Sequence, residues 1–243
     1  MSLEGKVTVI TGASSGIGEG IAEKFIEEGA KIVGCGLEEE MKFSGENCLY
    51  VQGDLRNYQT AEKVVEAAIN KFNKIDCLIN CAGVTGEGNL ETTSVDEFQR
   101  QFEINVFAVF NMCKAAIKEL KKGSESSIIN IASDLGVKAI PDRIAYCPTK
   151  ASVLMMTKCM ALDYGPDIRV NAIMPGLVET PMIKDRIENA EDPKEFKNSM
   201  AEMYTLKRLG KTQDIAEAAV FLASEKSSFI TGDALAVCGG GQI

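Results

Sequence analysis

Lys6-Val7-Thr8-Val9-Ile10-Thr11-Gly12-Ala13-Ser14-Ser15-Gly16-Ile17-Gly18 starts as a strand and ends as the first turn of a helix. Every residue from Val7 to Thr11 is β-branched, which favours extended backbone. Glycines then permit a tight turn, and a helical pattern runs on to Gly29. Such a turn lets backbone amides approach a pyrophosphate at the helix N-terminus, where the dipole favours anions. The spacing is Gly-x3-Gly-x-Gly, not the Gly-x-Gly-x2-Gly of the general dinucleotide fingerprint, but the strand–turn–helix context is the same.

Outward from this turn the pattern repeats. Further strands are predicted at Lys31–Gly36, Cys48–Gln52, Ile75–Asn80, Ser127–Ala132, Ile168–Ile173 and Ala234–Cys238, with the first at Lys6–Thr11. Helices are predicted at Gly18–Gly29, Gln59–Phe72, Val95–Lys121, Ile144–Tyr164 and Thr212–Ala223. Strands apolar throughout and separated by helices indicate a parallel sheet covered on both faces. Right-handed crossovers then give a Rossmann-type, doubly wound α/β sheet of about seven strands. No repeat or linker divides residues 1–243, so one domain is expected. Two places break the alternation. Leu37 to Asn47 has room for barely one helical turn, and Gly176 to Gly210 is rich in charge and Met without a strand pattern. A long excursion of that kind reads as a lid over residues 180–210, or as a pair of surface helices capping the sheet.

Composition excludes several classes. With 45% apolar and 25% charged residues the chain is ordinary for a globular protein. A net charge of −9 with no Lys/Arg block argues against nucleic acid as a partner. No stretch is long and apolar enough to span a bilayer, and the start has no signal-peptide core, so a cytoplasmic protein is expected. The absence of histidine removes Ser-His-Asp and Cys-His catalysis and His-ligated zinc, and no metal site is expected. The eight cysteines form no Cys-x-x-Cys pair and read as reduced core residues.

Acid–base work must then fall to Tyr, Lys, Cys or a carboxylate. Tyr146-Cys147-Pro148-Thr149-Lys150 places a phenol and an ammonium on one helical face. At 4.5 Å and an effective dielectric near 20, such a pair favours phenolate by about 4 kcal/mol, nearly three pKa units. Ile128-Ile129-Asn130-Ile131-Ala132 ends in Ser133, at the carboxyl end of a strand, where ligands of open parallel sheets bind. The fourth strand ends in Asn80-Cys81-Ala82-Gly83, and the sixth runs into Pro175-Gly176-Leu177-Val178-Glu179-Thr180.

These motifs, in this order, resemble the short-chain dehydrogenase/reductase family along the whole chain. The resemblance implies a catalytic set of Asn105, Ser133, Tyr146 and Lys150. Tyr146 would exchange a proton with the substrate oxygen, Ser133 would hydrogen-bond that oxygen, and Asn105 would hold a relay water. Lys150 would lower the Tyr146 pKa and grip ribose hydroxyls. Cofactor contacts would come from Gly12, Ser14, Ser15, Gly16, Ile17, Gly18, Leu37, Asp54, Leu55, Asn80, Ala82, Gly83, Tyr146, Lys150, Pro175, Gly176, Val178 and Thr180. The cofactor would be NAD or NADP. Gly36 stands where NAD-preferring members carry Asp, and Leu37 where many NADP-preferring members carry Arg. Cys238 replaces the usual Asp of the family's C-terminal motif. Uncharged Ser15 and Leu37, followed by Glu38, Glu39 and Glu40, favour NAD. The expected activity interconverts a secondary alcohol and a ketone. A 3-oxoacyl-carrier-protein reductase is the alternative, and a non-catalytic dinucleotide-binding regulator the remote one. The family resemblance also implies a homodimer or homotetramer, paired through Val95–Lys121 and Ile144–Tyr164.

Overall fold

Alternation along each strand decides which layer every side chain joins. Val9, Val33, Leu78, Ile128 and Val170 enter one buried cluster, whereas Ile10, Ile32, Ile79, Ile129 and Ile173 enter another on the opposite face. Both faces are apolar, so the sheet must be sandwiched, and a computed structural model describing residues 2–241 has that arrangement. Strands β1 (Val7–Thr11), β2 (Lys31–Gly36), β3 (Cys48–Gln52), β4 (Cys77–Asn80), β5 (Ser126–Ile131), β6 (Ile168–Pro175) and β7 (Ala234–Val237) are joined in the order β3-β2-β1-β4-β5-β6-β7. All pairings are parallel. Helices α1 (Gly16–Glu27) and α8 (Thr212–Ala223) cover one face. Helices α2 (Tyr58–Phe72), α4 (Ala108–Leu120) and α5 (Tyr146–Tyr164) cover the other. The chain moves outward from β1 to β3 and returns beside β1 as β4, so the direction of winding reverses between β1 and β4. A crevice opens at the carboxyl ends there.

As the sequence indicates, no helix bridges β2 and β3. One helix and several element boundaries depart from the sequence reading. The helix expected over Val95–Lys121 is interrupted: α3 (Val95–Phe102) and α4 are separated by a π turn over Glu103–Phe107. The π turn brings Asn105 inward, where its amide donates to the Val84 carbonyl at 2.9 Å and to Thr149 Oγ1 at 3.0 Å. The helix expected from Ile144 starts at Tyr146. The excursion after β6 holds two helices, α6 (Pro181–Glu188) and α7 (Pro193–Glu202). Proline opens both helices, and Asp192 caps the second by accepting from the Glu195 amide at 2.9 Å. Their Ile183 and Met200 join Tyr204 and Leu209 in a small separate cluster. Among the described residues, no helix is long and apolar enough to cross a membrane.

Candidate active site

The crevice is built from the β1 end upward. Thr11 Oγ1 accepts the amides of Cys81 and Ala82 at 2.9 and 3.0 Å, drawing the loop after β4 onto the glycine turn. Gly12 has φ +69°, and a Cβ there would lie 3.0 Å from Ala82 Cα. A Cβ on Gly18 would lie 2.0 Å from the Gly12 carbonyl oxygen, so α1 can start this close to β1 only without a side chain. Ser15, the residue before α1, makes no side-chain cap, which leaves first-turn amides of α1 without a side-chain acceptor. A bare cradle of backbone donors at a helix N-terminus fits a dinucleotide pyrophosphate.

A cavity of about 710 Å³ extends from this turn. Of the residues singled out in the sequence, Gly12, Ser15, Gly16, Ile17, Gly18, Ala82, Gly83, Ser133, Tyr146, Lys150, Pro175, Gly176, Val178 and Thr180 line it. The other six stand apart. Asn80 is buried and donates to Asn130 Oδ1 at 2.8 Å, its register partner on β5. Asn105 gives its carbonyl oxygen to the Val84 amide as well as donating to Val84 and Thr149, so its side chain ties the loop after β4 to α5. Asp54 pairs with Arg56 beside a second depression, and Leu55 is buried in the α2/α4/α5 cluster. Leu37 is exposed, and Ser14 donates to Glu38 Oε2. Tyr204 went unnoticed in the sequence although it lines the cavity and accepts the Leu177 amide at 2.8 Å. Its signal was present, since Phe196, Met200 and Tyr204 recur at helical spacing.

Three groups gather at the inner end. Ser133 Oγ accepts the Leu135 amide at 3.1 Å and donates to Asp134 Oδ1 at 3.1 Å. Burial pushes the Asp134 carboxyl above its usual range, opposed by that Ser133 bond and by Lys138. Lys150 donates to the Ile131 carbonyl at 3.0 Å, and its ammonium lies 5.7 Å from the centre of the Tyr146 ring. The depressed phenol expected from the Tyr146/Lys150 spacing is absent in the free protein. Burial pushes Tyr146 up to about 12, against a smaller downward effect of its bond with Ser133. Burial also pulls Lys150 down to about 8. Desolvation, which charge separation alone does not contain, acts on both groups here and disfavours both charges.

This fold and cleft are those of a doubly wound protein of the dinucleotide-binding type. The chain belongs to the short-chain dehydrogenase/reductase family: residues 12–242 match the family model described as Enoyl-(Acyl carrier protein) reductase. An uncharacterized oxidoreductase of Thermotoga maritima is 35% identical, covering 99% of this chain and 98% of that protein. The ligand-free aldohexose dehydrogenase of Thermoplasma acidophilum superposes with a TM-score of 0.92 at 32% identity, covering 98% and 94% of the two chains. ElxO with NADP bound gives a TM-score of 0.90 at 30% identity, covering 97% and 98%. A nicotinamide dinucleotide is therefore the cofactor class.

The buried lysine carries a stability consequence. Its folded pKa near 8 lies below the reference of 10.5, so between those values the unfolded chain holds the extra proton and stability rises with pH. At ~1.4 kcal/mol per unit, keeping the ammonium buried at pH 7 costs about 3 kcal/mol. Losing the bond to Ile131 offsets about 1 kcal/mol of any gain. Lys150→Met is expected to stabilise the free protein by about 2 kcal/mol at pH 7. That advantage should shrink from pH 8 to 10.5 in urea titrations.

Proposed function

We propose that the protein interconverts a secondary alcohol and a ketone with NAD(H) as the preferred cofactor. The observation that carries this reading is the convergence of Ser133, Tyr146 and Lys150 at one end of the cavity whose other end is the glycine turn. Gly12, Ser15, Gly16, Ile17, Gly18, Ala82, Gly83, Pro175, Gly176, Val178 and Thr180 would hold the dinucleotide, whose nicotinamide supplies or accepts hydride when bound. Tyr146, which burial keeps protonated at neutral pH, would donate its proton to a carbonyl oxygen. Ser133 would turn its hydroxyl from Asp134 to the same oxygen. Lys150 would hold the charge that makes the reverse transfer, from alcohol to phenolate, accessible.

The test incubates the full chain with each nucleotide and a panel of alcohols and ketones, including a 3-oxoacyl thioester for the alternative reading. Turnover of a secondary alcohol or its ketone is expected. Tyr146→Phe should lower kcat by at least ~100-fold with little change in nucleotide affinity; an active Tyr146→Phe enzyme would overturn the mechanism.

Nucleotide choice rests on Glu38. A Cβ at Gly36 would lie 2.9 Å from Glu38 Oε2, so glycine at the end of β2 makes room for that carboxylate to fold back. Tyr50 Oη donates to the Glu38 carbonyl at 3.0 Å, and the Ser14 bond holds the carboxyl below its usual pKa range. An ionised carboxylate there would repel a 2′-phosphate. Glu38→Gln should raise kcat/KM for NADP(H) relative to NAD(H) by roughly tenfold, a factor worth about 1.4 kcal/mol.

Residues 180–210 support a lid. The α6/α7 segment has its own small core and returns through a bridge between Val178 and Gly210. Its amides should exchange more slowly with deuterium once nucleotide and substrate are present, and equal exchange would count against a lid. A homodimer or homotetramer is supported by Phe107, Phe110, Met155 and Leu162, which stand exposed around and beyond the π turn and on α5. Light scattering at micromolar concentration should give at least twice the chain mass.

A further inference from the structure

The charge of the cavity runs against that of the chain. The protein carries a formal −9, yet the cavity lining includes Lys138, Arg143, Lys150 and Arg186 against one carboxylate, Asp134. Lys150 and Asp134 belong to the proton-transfer end, and Lys138 donates to the Gly241 carbonyl. The two arginines remain. Both converge on a single oxygen: Glu87 Oε1 lies 2.7 Å from Arg143 and 3.0 Å from Arg186. Among the described residues neither guanidinium makes another ion pair, and Asp142, next to Arg143, gives its carboxylate to Asn89 at 3.1 Å. Two cations thus share one anion.

The three side chains differ in how firmly they are held. Arg143 is only 14% exposed and is fixed by a second bond, to the Asp142 carbonyl at 2.8 Å. Glu87 is 57% exposed, so it is the member free to leave. The planar fork of a guanidinium matches an oxyanion, and a pair of them with one partner is short of negative charge. Their position points to substrate and not to the nucleotide phosphates. Gly16 lies against Thr180, just before α6, whereas Arg186 comes five residues after Pro181, about 7.5 Å along that helix. Arg143 precedes the reacting Tyr146 by three residues.

We propose that Arg143 and Arg186 form an anion subsite, and that the substrate is a secondary alcohol or ketone bearing a carboxylate or sulfonate a few bonds from the reacting carbon. Glu87 holds the pair when the cavity is empty and is displaced by that group. The inference rests on the reading of this cavity as the substrate site.

Binding tests it without turnover, so failed hydride transfer would sink the dehydrogenase reading and failed anion selectivity this one. The dissociation constants of butanoate, butane-1-sulfonate, butanamide and butane-1-sulfonamide are measured by ligand-observed NMR on the full chain. Each anion should bind at least tenfold more tightly than its amide, and added salt should narrow the gap. Arg186→Met should bring anion and amide within about threefold of each other, with Arg186→Lys intermediate. Glu87→Gln should widen the preference, because it removes the competitor. If the trio were only a clamp between the β4 loop and α6, Glu87→Gln would weaken anion binding or leave it unchanged. Either result overturns the proposal, as does an anion preference that survives in Arg186→Met, or failure of all four probes to bind.

Discussion

An ammonium group kept from water is the constraint around which the inner end of the cavity is arranged. Lys150 has the Ile131 carbonyl at 3.0 Å as its hydrogen-bond partner, and glycine lets the chain after β5 run close to its helix. A Cβ at Gly136 would come within 3.1 Å of the Lys150 backbone, and one at Gly83 within 3.1 Å of Asn105 Oδ1. Thr149, its neighbour on α5, takes the Asn105 amide that ties down the loop after β4. The strand end, the β4 loop, the π turn and α5 therefore all meet at Lys150, where burial disfavours the charged form. The surrounding hydrogen bonds hold that position.

Local signals carried most of the fold. The β-branched run from Val7 to Thr11 and the glycine turn after it depend on a dozen adjacent residues, and the same holds for β2, β3 and α8. The convergence of Ser133, Tyr146 and Lys150 could be anticipated because each sits at a strand end or the start of a helix, where parallel topology directs it to one crevice. Asn80 shows what motif reading alone misses. It is two residues beyond Leu78 and so shares that residue's face of the sheet, toward α4, where it meets Asn130 and Cys113. The electrostatics of Tyr146 were the least legible part. Spacing gives a distance between charges but says nothing of how much water each loses, and here that loss decides the direction.

The two walls of the cavity are made in different ways. One consists of sheet ends and helix starts locked into the main clusters. The other consists largely of α6, α7 and the chain to Gly210, joined to the first through the Leu177 amide on Tyr204, the Val178–Gly210 bridge, the Arg186–Glu87 ion pair and the Leu206 amide on the Gly239 carbonyl. The first wall holds Ser133, Tyr146 and Lys150, while the second carries a small apolar cluster of its own.

The π turn at Glu103–Phe107 bears on how this helical region can vary. Such a turn is one residue longer than the α-helical path between the same flanks, and each residue of an α-helix advances the face by about 100°. Deleting a residue there would give a more regular and intrinsically better bonded helix. The same deletion would swing Asn105 away from Val84 and Thr149 and release the loop after β4. The irregularity therefore acts as a register lock: it lets Phe107 and Phe110 point outward while Asn105, a few positions earlier, points in.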